Sequence, residues 1–98
     1  MYLGNAYTAT GMCEKGLEVD LKLEKLRPED PLVHYNLACS FSLLEMLSES
    51  LGALEKAIDL GYDDLEHLVN DSDLDGVKDE DGYKVLIHKL TKTLKKNI

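Results

Sequence analysis

Apolar residues recur along this chain at the three-to-four-residue spacing of amphipathic helices. Leu3, Ala6, Tyr7 and Thr10 follow that spacing, and Gly11 ends the run. A second helix is expected from about residue 13 to residue 26, closed by Arg27-Pro28. Within it Leu17, Val19, Leu21 and Leu23 alternate with polar residues, as in a strand. No turn separates them from Leu26, and Leu, Glu and Lys are strong helix formers, so the spacing predicts a helix with a broad apolar surface. Asp30 is a good N-cap for a third helix, with Pro31 at its first position. That helix carries Leu32, Tyr35, Leu37, Ala38, Phe41 and Leu44. Ser48 opens a fourth through Leu60, striped by Leu51, Leu54, Ala57 and Ile58 and stopped by Gly61. Shorter pieces follow: about 64–70, a turn through 71–81, and a last helix over about 82–95. Lys89, Lys92, Lys95 and Lys96 crowd its C-terminal end, where the helix dipole favours cations.

The pattern repeats itself at an offset of 34 residues. Leu3-Gly4-x-x-Tyr7 recurs as Leu37-Ala38-x-x-Phe41, Gly16-Leu17 as Ser50-Leu51, and Leu26 as Leu60. Size and polarity class are kept at each match, and this period is that of a helix-turn-helix solenoid repeat. After Gly61 the match decays: Leu37-Ala38 maps onto Asp71-Ser72, which cannot fill the same packing slot. The expected organisation is therefore one domain over 1–98. Residues 1–30 are a first unit, 31–62 a second, and 63–98 a degenerate, polar closing unit of the kind a solenoid needs.

These residues resemble the tetratricopeptide (TPR) repeat. Leu3, Gly4, Tyr7, Gly16 and Pro28 match its pattern in the first unit. In the second, His34 sits at the usual Trp place, and Leu37, Ala38, Phe41, Ser50, Leu54 and Ala57 follow, with Tyr62 in place of the closing Pro. Asp20 departs from the pattern where the family puts a large apolar residue, and Leu23 where it prefers Ala. Residues 65–90, with Asn70-Asp71-Ser72-Asp73-Leu74-Asp75, are similar to the closing segment of many bacterial TPR proteins. The resemblance implies an all-α stack of antiparallel helix hairpins, a TPR-like α-solenoid. The first unit's bulky aromatic would fall just before Met1, so the chain is expected to be a piece of a longer repeat protein. The alternative is a natural start with Met1-Tyr2 as the aromatic.

Composition narrows the partners. The chain is 98 residues long, 44% hydrophobic and 31% charged, which suits one small globular domain with a thin core. A net charge of −8 repels phosphates, so nucleic acid is not expected as a partner. No apolar run reaches the ~18 residues of a membrane span, so no membrane association is expected. The N-terminus lacks a basic stretch leading into an apolar one, so no secretory signal is visible. Cys13 and Cys39 stand alone, outside any CxxC or Cys/His array, and suit reduced thiols in a cytoplasmic protein.

Candidate chemistry is sparse. Asp71, Asp73, Asp75, Gly76 and Asp79 are spaced like an EF-hand loop, in which alternate oxygens wrap a Ca²⁺ ion. The place of the bidentate Glu is Gly82, and Lys78 stands where that loop needs an apolar anchor. Helix capping is the expected role of these aspartates, with a divalent-cation domain as the alternative. His34, His67 and His88 form no local pair, and no glycine-rich phosphate loop is present. No enzyme activity and no cofactor are expected.

In TPR proteins the inner face of each first helix lines a concave groove. Carried over, that face is Asn5, Thr8 and Ala9 in the first unit and Tyr35, Asn36, Cys39, Ser42 and Leu43 in the second. Asn5 and Asn36 fall on the two asparagine places of the family's carboxylate clamp. Its basic places hold Met1, Glu66 and Asn70, so a carboxylate would find amides without cations. The expected function is a non-catalytic protein-interaction module that binds a peptide or helix of mixed polarity. Self-association through the uncovered first helix is a further expectation.

Overall fold

The computed structural model describes residues 15–96, and every regular element among them is helical. The first expected helix, over the opening ten residues, lies outside the described residues. Helix α1 covers 15–26, so the alternating Leu17–Leu23 segment is helical. It is followed by α2 (Pro31–Leu43), α3 (Leu47–Asp59), α4 (Leu65–Asn70), a 3₁₀ helix (Ser72–Val77) and α5 (Asp81–Lys96). The expected turn after Asn70 is thus mostly a 3₁₀ helix. No helix among the described residues is long and apolar enough to cross a membrane.

Local chemistry sets the helix ends. The Asp30 side chain accepts from the Leu32 amide at 2.9 Å, and Pro31, which has no N–H to leave unpaired, follows it. Helices α2 and α3 then end in the same Schellman arrangement. At the end of α3 the Tyr62 amide reaches the Ala57 carbonyl and the Gly61 amide reaches that of Ile58, with Gly61 at φ 112. At the end of α2 the Met46 amide reaches Phe41 and the Glu45 amide reaches Ser42. There the left-handed residue is Glu45, at φ 63. With no glycine to announce it, this stop is invisible in the sequence. Leu44 falls outside α2, and α3 begins one residue before Ser48, at Leu47, with Met46 giving no side-chain cap.

The tight link folds α3 back along α2. Tyr35, near the start of α2, stacks on Tyr62, just beyond the end of α3, with ring centroids 4.4 Å apart, so the two helices are antiparallel. Ser50 shows why this position needs a small residue: fully buried, its hydroxyl donates to the Ala38 carbonyl at 2.7 Å. The core of Tyr35, Ala38, Leu54 and Ala57 continues into Leu68, Leu74 and Val77 of the terminal segment and Tyr83, Leu86 and Leu90 of α5. A Cβ on Gly82 would come within 2.9 Å of Leu51, so the glycine lets α5 approach α3 closely.

Two residues that depart from the pattern the sequence resembles make contacts of their own. Asp20, where an apolar residue is usual, accepts a hydrogen bond from Ser40 at 2.9 Å, joining α1 to α2 by a polar contact. Tyr62, where a proline is usual, supplies the ring that stacks on Tyr35. His34, at the Trp place, is buried and donates from Nε2 to the Pro28 carbonyl at 2.8 Å.

A left-handed non-glycine residue carries a steric cost of roughly 1 kcal/mol that glycine avoids. Glu45→Gly is therefore expected to raise unfolding stability by about 0.5–1 kcal/mol, and Gly61→Ala to lower it by about 1 kcal/mol or more. Urea unfolding of the two variants checks the pair, and equal effects of one sign would contradict it.

Candidate functional site

The expected groove face of α2 splits into two lines. Tyr35, Cys39 and Ser42 follow one another at i, i+4 and i+7 and are all buried, at 4%, 8% and 4% exposure. Leu32, Asn36 and Leu43 form the neighbouring line and are exposed, Leu32 at 61% and Leu43 at 47%. Successive helical residues turn by about 100°, so a cover along one line leaves the next free. The cover is the terminal segment, whose 3₁₀ helix packs along α2. Of the groove residues expected from the sequence, Asn36 and Leu43 face solvent while Tyr35, Cys39 and Ser42 lie beneath the cover. Asn5, Thr8 and Ala9 are outside the described residues. Leu32, exposed on the same line, was not among those expected.

The covered line is tied down at Asp71. The Tyr35 hydroxyl donates to Asp71 Oδ2 at 2.6 Å, and the Cys39 thiol lies 3.7 Å from the same oxygen. The other oxygen, Oδ1, accepts from the Asp73 amide at 2.9 Å and so caps the 3₁₀ helix. His67, one turn earlier on α4, places Nε2 3.4 Å from Asp71 Oδ2 and tilts its ring against Tyr35. Asp64 caps α4 by accepting from the His67 amide.

This setting shifts several acids. Burial pushes the Asp71 carboxyl up, but the hydrogen bonds from Tyr35, the Asp73 amide and Cys39, with His67 alongside, outweigh it and hold Asp71 below its ordinary 3.8. Burial and the charges of Asp71 and Asp75 raise Asp73. Burial, then the nearby Asp71 and Asp73 carboxylates, push the Cys39 thiol up to about 12. At neutral pH Cys39 is therefore a protonated thiol and a poor nucleophile. Tyr35 is raised by burial and by its bond to Asp71.

Two of the four aspartates spaced like a calcium loop are engaged in other contacts. Asp71 receives Tyr35 and caps the 3₁₀ helix. Asp75 pairs with Lys78 at 2.9 Å. Among the described residues, the acid, thiol and imidazole groups whose ligand atoms all fall within 4.8 Å of one another are Cys39, Asp71 and Asp73, without His67, Asp75 or Asp79. A 3₁₀ helix points successive side chains about 120° apart around its axis, so it does not wrap one ion as an open loop does.

Neither of two concavities is lined by Leu32, Asn36 or Leu43. A shallow one of about 380 Å³ on α4 is lined by Asp64, Glu66, His67 and Asn70. An apolar cleft of about 340 Å³ runs between α1, α2 and α3, with Leu21, Leu37 and Phe41 inside and Glu24, Glu49 and Lys56 among its other lining residues. No single-sequence pattern marks this cleft, because its walls come from three helices.

Comparison with known proteins adds one relative. The chain is 31% identical over 87 residues to a chloroplastic protein of Arabidopsis thaliana. The match covers 86% of this chain but 26% of the relative, so the chain spans about a quarter of that protein's length. No family model matches the chain, and no solved structure matches it.

The Asp71 carboxyl is held below its ordinary range by a buried partner, and the sign of its effect on stability follows. A depressed folded pKa contributes stability above the unfolded value of about 3.9, lost as pH falls through the folded value. Asp71→Ala is expected to cost about 2 kcal/mol at pH 7, in the range of a charged hydrogen bond to a buried donor. The gap to wild type narrows below about pH 4. Urea unfolding of both proteins at pH 7 and pH 3 measures it, and a gap that is equal at both would contradict the charged bond.

Proposed function

We propose that this chain is a non-catalytic protein-interaction module of the tetratricopeptide type, built as a short helical-hairpin stack with a terminal cap. It takes a partner's peptide or helix along the open line of α2. The observation that carries the reading is that line itself. Leu32 and Leu43 stand exposed on either side of exposed Asn36, on a helix whose remaining turns are largely buried. Large apolar side chains held in a row on a rigid helix suit an amphipathic partner. The small Ser50 seated on Ala38, the antiparallel α2–α3 pair and the 34-residue self-match all support the repeat reading.

The surroundings bias the partner's charge. Asp64 and Glu66 line the neighbouring concavity, and Asp73 borders Cys39 on the covered side. A partner with lysine or arginine beside its apolar residues gains complementary charge at that rim, while a free carboxylate does not. The relative's chloroplastic address belongs to that protein. For this chain the cytoplasmic placement remains part of the proposal, together with the absence of nucleic acid among its partners.

Peptide display on the immobilised chain tests the reading, with the Leu32→Glu/Leu43→Glu double variant as counter-target. Both positions are exposed, so the variant keeps the fold. Apolar, cation-bearing peptides are expected to bind wild type at least tenfold more tightly, about 1.4 kcal/mol. Peptides that bind both proteins equally would place the interaction elsewhere.

A further inference from the structure

The cleft between α1, α2 and α3 lies on the far side of α2 from its open line. Its α2 residues are His34, Leu37 and Phe41, spaced i, i+3 and i+7. At about 100° per residue they point away from Leu32, Asn36 and Leu43. Leu21 of α1 and Ala53 of α3 complete the apolar wall. At about 340 Å³ the cleft is at the small end of ligand-binding concavities, with room for one aromatic side chain.

One polar atom at the inner end of the cleft lacks a partner. His34 is 4% exposed, and its Nε2 donates to the Pro28 carbonyl at 2.8 Å. A carbonyl only accepts, so Nε2 carries the ring proton and the neutral imidazole presents a lone pair at Nδ1. Nδ1 stands 3.7 Å from Glu24 Oε2, beyond hydrogen-bond reach, and a carboxylate has no proton to give it. Glu24 is partly exposed and keeps contact with water, whereas the imidazole ring is buried. Unlike the Ser42 hydroxyl, Nδ1 is not fully enclosed, so the cleft gives access to it. Lys56 brings a donor to the same end. It stands near the end of α3, level with the start of α2, because the two helices are antiparallel.

We propose that this cleft receives a tyrosine side chain of a partner protein. The ring lies among Leu21, Leu37, Phe41 and Ala53, where it buries apolar area and meets the Phe41 ring. Its hydroxyl donates to His34 Nδ1 and accepts from Lys56. Phenylalanine leaves both groups unmatched, tryptophan donates but cannot accept, and serine is too short for the apolar wall. This site lies on the opposite side of α2 from its open line, and neither proposal depends on the other.

N-acetyl-tyrosinamide is the probe and N-acetyl-phenylalaninamide its control. Each is titrated into isotope-labelled full-length chain and followed by NMR. The tyrosine amide is expected to give saturable shifts at Leu21, Leu37, Phe41 and Ala53 at millimolar concentration and to move the His34 Nδ1 resonance. The phenylalanine amide is expected to bind roughly fivefold more weakly, the loss of one hydrogen bond to a buried acceptor. Leu21→Gln, at an exposed position, is expected to keep the fold and weaken binding roughly threefold through lost apolar contact. The Leu32→Glu/Leu43→Glu variant is expected to bind the tyrosine amide as wild type does. Equal affinity for the two amides overturns the proposal, as does equal affinity of wild type and Leu21→Gln for the tyrosine amide. Loss of binding in the Leu32→Glu/Leu43→Glu variant overturns it by moving the probe to the open line. Shifts at the same four residues that grow with protein concentration, without probe, make a second copy the occupant and also overturn it.

Discussion

The Asp71 carboxylate, wedged between Tyr35 and the first amides of the 3₁₀ helix, fixes how the C-terminal third of the chain lies on the rest. Helices as short as α4 and the 3₁₀ turn, six residues each, cannot hold themselves in water, because nucleation costs more than so few hydrogen bonds return. Their order comes from tertiary contact: the 3₁₀ helix packs on α2 and α4 against α5. Leu68, Leu74 and Val77 supply buried apolar area, and burial of that area is not directional. Asp71 adds direction. One oxygen takes a hydroxyl from α2 and the other starts the next helix, so the segment can seat in one register.

The same bond decides which face of α2 stays open. With Tyr35 held under the segment and stacked on Tyr62, the line through Cys39 and Ser42 closes. The adjacent line through Leu32, Asn36 and Leu43 is left to solvent. Ser42 shows that the closure has a cost: its buried hydroxyl has no hydrogen-bond partner, and a side chain on Gly76 would press within 3.2 Å of it. An unsatisfied buried hydroxyl costs on the order of 1–3 kcal/mol, which the surrounding apolar burial must outweigh.

Much of the helical layout was legible because its signals are local. Asp30-Pro31 and Gly61 act through backbone geometry of their own few residues, and both operate as expected. The end of α2 was misplaced by one residue because Glu45 adopts a left-handed conformation that nothing in its side chain advertises. The candidate site was half legible. The family resemblance picked out one side of α2 as a set, but spacing within one helix cannot say which line a later segment will cover. The calcium-like spacing of Asp71–Asp79 is ambiguous for a related reason. Alternate aspartates wrap an ion only in an open loop, and here Asp71 begins a helix instead.

By itself the sequence determined the helical class of the described elements, most of their boundaries and the small residue at Ser50, since each depends on neighbours a few positions away. Only the tertiary structure decided that Asp71 meets Tyr35, Cys39 and His67, that Asp20 reaches Ser40, and that Leu32 and Leu43 remain exposed. These contacts join residues up to 36 positions apart, a separation over which chain connectivity imposes no geometry. Their partners are chosen by which surfaces bury the most apolar area without leaving a charge unpaired.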